Sequence, residues 1–117
     1  MQTRDANLEI CDLGCGTGWM SNELSRFGHV VGIDFSDEGL LVARRSYPEL
    51  TFEQCDVLYY RPEKQFDLVV SSEVIEYIPD KVAYFETIAA IFKPGGYLVL
   101  TCPNGNIRRY YGHTPAR

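Results

Sequence analysis

The 117-residue chain lacks the features that mark several large classes of protein. No apolar run approaches the roughly 20 residues of a membrane-spanning helix, and the N-terminal MQTRDANLE has no hydrophobic signal region. Positive charge is scarce, because 11 Lys and Arg residues stand against 16 Asp and Glu residues, a net charge of −5. A large nucleic-acid interface needs a basic face. We therefore expect a cytoplasmic protein with no membrane span and no nucleic-acid partner.

Cysteines are few and scattered, at Cys11, Cys15, Cys55 and Cys102. No two of them have the CxxC spacing that is typical of zinc sites. We expect reduced, mostly buried thiols. The hydrophobic content of 45% is that of an ordinary globular domain.

The strongest local signal is the stretch from Leu8 to Gly18, LEICDLGCGTG. The apolar run Leu8–Leu13 predicts a strand, and Gly14, Gly16 and Gly18 follow it before a helical apolar pattern begins. A strand that enters a glycine-rich turn and then a helix is typical of nucleotide-binding sites. Glycines allow a tight turn and let a ligand lie against bare backbone.

The spacing of these glycines distinguishes between two cofactors. The dinucleotide fingerprint GxGxxG needs its last glycine where this chain has Trp19, which disfavours an NAD-dependent oxidoreductase. The chain instead has the pattern D-x-G-x-G-x-G, which begins at Asp12 and ends at Gly18. This pattern resembles motif I of the class I S-adenosylmethionine (SAM) dependent methyltransferases.

The rest of the chain alternates between strand-like and helix-like apolar patterns, which predicts an α/β fold. Strands are predicted at 8–13, 29–34, 50–54, 66–71 and 97–102, and helices at 19–26, from Asp37 to about Ser46, and after Asp80. Right-handed crossovers then give a doubly wound, Rossmann-like parallel sheet of order 3-2-1-4-5. On the last helix we expect one apolar face, made of Val82, Phe85, Ile88, Ala89 and Phe92.

Asp34 closes the second predicted strand, 20 residues after Gly14. An acidic residue at this place accepts hydrogen bonds from a ribose diol in nucleotide-binding folds of this kind. Ser36 is well suited to be the N-cap of the next helix, so Asp34 is not needed for that role. We therefore expect Asp34, with the adjacent Phe35, at the cofactor.

Two further stretches strengthen the resemblance. FDLVVSSEVIEYIPD, from Phe66 to Asp80, is similar to the FDxVxxxEVxEHxPD stretch of small-molecule methyltransferases such as the ubiquinone-type O-methyltransferases. FKPGGYLVLTCPN is similar to their next signature, so the resemblance runs from Leu8 to about Asn104. It implies SAM as the cofactor and methyl transfer to an oxygen, nitrogen or carbon atom of a small-molecule acceptor.

The same resemblance implies roles for individual residues. Asp12 would help to orient the glycine turn and the methionine end of SAM. Asp56 would accept a hydrogen bond from the adenine amino group, beside the backbone amide of Val57. Backbone around Ser71 and Ser72 would contact the methionine portion. The full expected cofactor set is Asp12, Gly14, Cys15, Gly16, Gly18, Asp34, Phe35, Asp56, Val57, Ser71 and Ser72.

The catalytic group stays open. Some members of the family hold a divalent metal with two glutamates and a histidine, but after Glu73 and Glu76 this chain has Tyr77 at the histidine position. We therefore expect no metal. A hydroxyl acceptor can require a general base, for which Glu73, Tyr77 and His113 are weak candidates because none has a diagnostic spacing.

The end of the sequence predicts a shortened domain. Residues 103–117, PNGNIRRYYGHTPAR, show no strand or helix period. We therefore expect a SAM-binding core at 1–104, an irregular tail at 105–117, and no sixth or seventh strand of the usual methyltransferase sheet. The fifth strand would then be an exposed apolar edge through which chains could self-associate. A fragment of a longer protein is the favoured explanation, ahead of a covering oligomer or an inactive homologue.

Three other functions stay open. A SAM-fold binding or regulatory module without turnover would keep the cofactor residues, and missing strands would count against turnover. An NAD-binding domain is disfavoured by Trp19. An RNA 2'-O-methyltransferase would need a basic face, for which Arg108 and Arg109 are too few.

Overall fold

One six-stranded sheet organises the part of the chain that this computed structural model describes, residues 7–102 and the backbone of residues 107–111. The sheet order is β3-β2-β1-β4-β5-β6. The strands are β1 (Leu8–Leu13), β2 (Gly28–Asp34), β3 (Thr51–Gln54), β4 (Phe66–Ser72), β5 (Phe92–Thr101) and β6 (Ile107–Tyr111).

Three α-helices and two 3₁₀ turns connect these strands. They are α1 (Trp19–Leu24), α2 (Asp37–Ser46) and α3 (Lys81–Ile91), with 3₁₀ turns at Ser25–Phe27 and Ile75–Tyr77. All pairings from β1 to β5 are parallel. The α/β class and the order 3-2-1-4-5 expected from the sequence are therefore confirmed.

Alternate residues of β1 bury themselves against helices on opposite faces of the sheet. Cys11 and Leu13 join the large apolar core to which α3 contributes Ile88 and Ile91. Asp12 points to the other face, where α1 supplies Ser21. Because helices cover both faces, the carboxyl ends of the strands open a crevice between β1 and β4, where the chain changes direction across the sheet.

Both longer helices begin as their N-cap residues predict. The Ser36 hydroxyl accepts a hydrogen bond from the Gly39 amide at 3.1 Å, and the Asp80 carboxylate accepts one from the Ala83 amide at 3.0 Å. Each bond satisfies an amide that the first helical turn leaves without a partner. These caps set the first residues of α2 and α3, which follow the loops at the crevice.

The expected apolar face of α3 is wrong in part. Val82 is 71% exposed and Phe85 40% exposed, whereas the buried positions are Tyr84, Thr87, Ile88 and Ile91. Two of these carry polar groups that find partners inside the protein: Tyr84 bonds Ser71, and Thr87 donates to the Leu58 carbonyl. Hydrogen bonding makes their burial tolerable, which an apolar pattern alone does not reveal.

The expectation that the sixth strand is missing is also wrong. The backbone of Ile107–Tyr111 pairs antiparallel with β5, from Tyr97↔Tyr111 to Thr101↔Ile107. The tail expected to be irregular therefore contains a strand, and the apolar edge of β5 is not exposed. The sequence argument for self-association through an exposed edge of β5 therefore no longer holds. The five residues IRRYY do not alternate between apolar and polar residues, so their sequence alone could not predict this strand without its partner.

Two smaller findings complete the fold. β5 begins at Phe92, earlier than expected, because Lys93–Gly96 form an irregularity between the pairs Phe66↔Phe92 and Leu68↔Tyr97. Across the described ranges, the helices are all too short or too polar to cross a membrane. The cytoplasmic location stays a prediction.

We expect removal of residues 105–117 to uncover β5. The amide groups of β5 that face β6 would lose their hydrogen-bond partners. Their hydrogen exchange should therefore be about tenfold faster, or more, than in the full chain. The measurement is amide exchange by NMR on both chains. Amides shared by β1 and β2 serve as the internal control. Equal exchange of β5 in the two chains would contradict the pairing.

Candidate cofactor-binding site

A cavity of about 600 Å³ lies at the carboxyl ends of the parallel strands. Loops that follow β1, β2, β3 and β4 form its walls. Its lining residues are Gly14, Asp34, Phe35, Asp56, Val57, Leu58, Ser72, Glu73, Val74, Tyr77, Ile78 and Pro79. Its volume falls within the roughly 300–1,000 Å³ range of small-molecule sites.

Backbone hydrogen bonds tie the start of the glycine turn to the neighbouring strand. The amides of Gly14 and Cys15 both donate to the carbonyl of Ile33, at 2.7 and 2.8 Å. Gly14 has φ +88°, and a Cβ there would collide with Val74. A side chain is therefore excluded at Gly14 both by the backbone conformation and by the cavity wall opposite.

The other two glycines of the turn serve different purposes. A Cβ on Gly18 (φ +91°) would meet Phe52 at 2.9 Å and Ala43 at 3.0 Å, so Gly18 lets the turn pack against β3 and α2. A Cβ on Gly16 (φ +55°) would meet nothing within 4 Å. Packing explains the glycine at 18, whereas at 16 the space above the backbone is open. Gly16 is not among the residues that line the cavity, but its bare main chain is open to the approach of a ligand.

Asp34 joins the glycine turn to the loop after β2. Its Oδ2 accepts a hydrogen bond from the Gly16 amide at 2.7 Å, and its Oδ1 accepts one from the Ser36 amide at 2.9 Å. Each carboxylate oxygen has a second lone pair. Asp34 can therefore shape the turn and still accept hydrogen bonds from a ligand in the cavity that it lines. Phe35, 71% exposed, lines the same wall.

The loop after β3 supplies the next part of the wall. The Asp56 Oδ1 accepts a hydrogen bond from the Leu58 amide at 2.9 Å, which folds the loop into a turn and leaves Asp56 and Val57 on the cavity. Both had been expected at the cofactor. The buried polar contact between the Thr87 hydroxyl and the Leu58 carbonyl, 2.8 Å, fastens this turn to α3.

Asp12 lies beneath the glycine turn rather than in the cavity wall. It is 1% exposed and accepts a hydrogen bond from the Ser21 hydroxyl at 2.7 Å. Burial raises the pKa of Asp12 to about 6, the Ser21 hydrogen bond opposes the rise, and the charge of Asp34 adds to it. The Asp12 side chain therefore supports the turn from below, and its charge interacts with that of Asp34 at the cavity.

Cys15 and Ser71 are further expected cofactor residues whose side chains turn inward. Burial raises the pKa of the Cys15 thiol to about 12, so the thiol is neutral at physiological pH. Ser71 is fully buried, with its Oγ 2.6 Å from the hydroxyl of Tyr84. Their side chains do not line the cavity, whereas Ser72, the last residue of β4, does. Cys15 and Ser71 could therefore contact a ligand only through their backbone atoms.

Two of the three candidate catalytic residues reach the cavity. Glu73 and Tyr77 line its β4 side, and His113 lies outside the described residues. Glu73 has φ +57°, which is uncommon for a residue with a side chain. Its amide donates to the Thr101 carbonyl at 3.1 Å and to the Thr101 hydroxyl at 3.0 Å. The carboxylate is thus presented to the cavity from backbone that the end of β5 holds in place.

Residues 7–102 contain no group of three or more His, Cys, Asp or Glu side chains that could hold a metal ion. Glu73, Glu76 and Tyr77 lie in or beside one 3₁₀ turn, and the buried Oε1 of Glu76 has no hydrogen-bond partner. The absence of a bound metal stays a prediction.

Sequence reasoning missed the apolar part of the cavity wall. Leu58, Val74, Ile78 and Pro79 line the cavity. The last three belong to EVIEYIP, whose apolar residues are too irregularly spaced to indicate which side chains face a ligand. The turn Ile75–Tyr77, with Ile78 directly after it, directs them there, and no periodic signal could have found them.

Comparison with known proteins agrees with this geometry. A family model described as a methyltransferase domain matches residues 4–112. The ubiquinone biosynthesis O-methyltransferase of Shewanella pealeana is 33% identical over 109 residues, which cover 87% of this chain and 46% of the relative. The chain therefore spans about half the length of the curated relatives that it matches.

Two solved structures share the fold. An S-adenosylmethionine dependent methyltransferase from Mesorhizobium loti matches with a TM-score of 0.76 at 34% identity, over 84% of this chain and 48% of the other. The N-methyltransferase NodS from Bradyrhizobium japonicum, solved with S-adenosyl-L-homocysteine, matches with a TM-score of 0.72 at 22% identity, over 79% and 50%. At that identity the second likeness shows the fold alone.

The raised pKa of Asp12 predicts a pH-dependent stability. A carboxyl group whose folded pKa of about 6 exceeds its ordinary 3.8 favours folding at low pH, and this contribution is lost as the pH rises through about 6. Relative to Asp12→Asn, which keeps an oxygen for Ser21, the parent should lose roughly 1 kcal/mol of unfolding free energy between about pH 5 and pH 7.5.

Urea unfolding of both proteins at the two pH values measures this difference. Asp37→Asn, at an exposed carboxylate in the first turn of α2, is the matched control and should follow the parent. Parallel pH profiles for the parent and Asp12→Asn would show that the buried carboxyl does not titrate in this range.

Proposed function

The chain belongs to the family of methyltransferase domains, and from this premise we propose that its cavity binds SAM and that the protein transfers the methyl group to a small-molecule acceptor. One observation carries the proposal. The carboxylates of Asp34 and Asp56 line one cavity at the switch point of the sheet, and a hydrogen bond joins Asp34 to the open backbone of Gly16. This is the place where α/β sheets of this kind bind nucleotides.

The proposed orientation of the cofactor follows from strand order. Loops after β2 and β3 carry Asp34, Phe35, Asp56 and Val57 on one side of the cavity. Carboxylates accept hydrogen bonds but donate none when ionised, which suits ribose hydroxyls and an adenine amino group. We assign the ribose to Asp34 and the adenine amino group to Asp56, with Phe35 and Val57 as the apolar walls of the nucleoside site.

The methionine end would then lie towards β1 and β4. Gly14 and Ser72 line this side, and Glu73 follows directly. Gly16 would let the cofactor approach the turn closely, and Asp12 would hold that turn from beneath. Residues Cys15, Gly18 and Ser71 would contribute to this end through backbone position, because their side chains or Cβ positions face the protein interior.

The chemistry asks little of the protein beyond positioning. The bound cofactor supplies a methyl group already activated by a sulfonium centre. The chain's own residues hold the reactants in line and exclude water. Val74, Ile78 and Pro79 provide apolar surface for that purpose on the β4 side. Glu73 and Tyr77 lie beside it, so they are our candidates to receive a proton from the acceptor.

We propose a hydroxyl-bearing small molecule as the acceptor. Support comes from the relative in Shewanella pealeana, which is named as an O-methyltransferase of ubiquinone biosynthesis. The cavity lining adds a second argument, because among the residues that the structure describes it includes three carboxylates, Asp34, Asp56 and Glu73, and no Lys, Arg or His. An acceptor with negative charge at its reacting end would be repelled from such a wall.

Calorimetric titration of the 117-residue chain with S-adenosylhomocysteine tests the proposal, with NADH as the control ligand. We expect a dissociation constant in the micromolar range for the former, roughly −8 kcal/mol, and no measurable heat for the latter. Binding without methyl transfer to any acceptor would favour a binding module over an enzyme. A folded chain that binds neither ligand, or NADH alone, would contradict the proposal.

A matched pair of glycine variants separates ligand approach from backbone strain. Gly16 and Gly95 both have positive φ, +55° and +80°, and a Cβ at either meets nothing within 4 Å. Gly16→Ala and Gly95→Ala should therefore carry similar strain, about 1 kcal/mol each. Only the methyl group at 16 enters the proposed cofactor space, so Gly16→Ala should weaken S-adenosylhomocysteine binding by about tenfold or more.

Calorimetry on the two variants and the parent gives the comparison. Gly95→Ala should bind as the parent does, because Gly95 lies in the irregular start of β5, at the opposite end of the strands from the cavity. Equal affinity for Gly16→Ala and Gly95→Ala would remove the glycine turn from the binding site.

A further inference from the structure

Two hydrogen bonds continue the connection between β2 and β3 at the carboxyl ends of these strands. The register of these strands ends at the pair Asp34↔Gln54. The Cys55 amide then donates to the Asp34 carbonyl at 2.9 Å, and the Gln54 side chain donates from Nε2 to the Phe35 carbonyl at 3.1 Å. The bond from Gln54 therefore reaches Phe35, one residue beyond Asp34, where the pairing of β2 with β3 ends.

The backbone that Gln54 holds carries part of the cavity wall. Phe35 lines the cavity, and the residue is 71% exposed. Because Phe35 makes few contacts with the rest of the protein, the position of its side chain depends on how the Phe35 backbone is held. The Ser36 amide bonds Asp34 on one side, and the Gln54 amide group holds the carbonyl on the other.

The loop that Gln54 leads into carries the neighbouring part of the cavity wall. Asp56, Val57 and Leu58 follow Gln54 within four residues and line the same cavity. Gln54 itself is exposed and does not line the cavity. Its side chain therefore sets the spacing between two walls without touching what lies between them. A shorter side chain could not reach past the last ladder pair, and a carboxylate of the same shape could not donate.

We propose that Gln54 is a positioning residue that fixes the width of the nucleoside site, between Phe35 on one side and Asp56 and Val57 on the other. This inference rests on the proposed function, because it concerns the adenosine part of the same cofactor. Gln54 acts through the Phe35 carbonyl, so it governs the affinity for any ligand that carries adenosine, whatever is attached to the 5' carbon.

Two variants and two neutral probes test the inference. Gln54→Glu keeps the shape and removes the donor, and Gln54→Ala removes the side chain. The probes are S-adenosylhomocysteine and 5'-methylthioadenosine, which lacks the amino-acid portion. Both variants should bind both probes about three- to tenfold more weakly than the parent, and by the same factor for the two probes, as measured by calorimetry.

Thr51→Ala is the matched control, since Thr51 is exposed at the other end of β3. It should bind both probes as the parent does, and thermal unfolding should show all chains folded at the titration temperature. Unchanged affinity in the Gln54 variants, an equal loss in Thr51→Ala, or a loss confined to S-adenosylhomocysteine would overturn the inference. A parent chain that binds neither probe would overturn the proposed function, and this inference with it.

Discussion

The attachment of the glycine turn to the end of β2 is the constraint on which the cavity depends. Gly14 and Cys15 donate backbone hydrogen bonds to the Ile33 carbonyl, and Gly16 donates to the Asp34 carboxylate. A turn held this way cannot close over the crevice, since its amides point back to the strand beside it. The buried Asp12 and its Ser21 bond support the turn from below. The space above Gly16 stays open for that reason.

The site's dependence on this attachment explains why so much of it could be predicted from sequence. Glycines at alternate positions after a strand, and an acidic residue at the end of the next strand, are local signals with one physical meaning. The turn at Gly14 needs a left-handed backbone conformation, and Asp34 must lie beside it because β1 and β2 are parallel neighbours. Strand order follows from right-handed crossovers. These features need no knowledge of long-range packing.

What the sequence could not predict depends on partners that are distant along the chain. Tyr84 and Thr87 are buried on α3 because Ser71 and Leu58 provide hydrogen bonds, so the apolar period misplaced part of the buried face. The strand Ile107–Tyr111 exists through its pairing with β5, and its own five residues carry too little periodicity to show it. Val74, Ile78 and Pro79 reach the cavity through an irregular turn. Each case is a tertiary contact that overrides local pattern.

Charge is distributed unevenly between the two ends of the sheet, and this asymmetry bears on what the cavity can bind. At the amino ends of the strands, Glu9 pairs with Lys64 at 2.8 Å and Asp67 with Lys93 at 3.3 Å. At the carboxyl ends, Asp34, Asp56 and Glu73 face one cavity, and none of them has an ion pair with another described residue. Neighbouring like charges raise each other's free energy.

Backbone amides relieve part of that cost, because Asp34 accepts two and Asp56 accepts one. The remainder is relieved only by water or by a ligand that brings hydrogen-bond donors or positive charge. A nucleoside offers donors on its ribose and its adenine, and a sulfonium centre offers positive charge. The carboxylates that line the cavity are therefore the groups that would favour such a ligand over an anionic one.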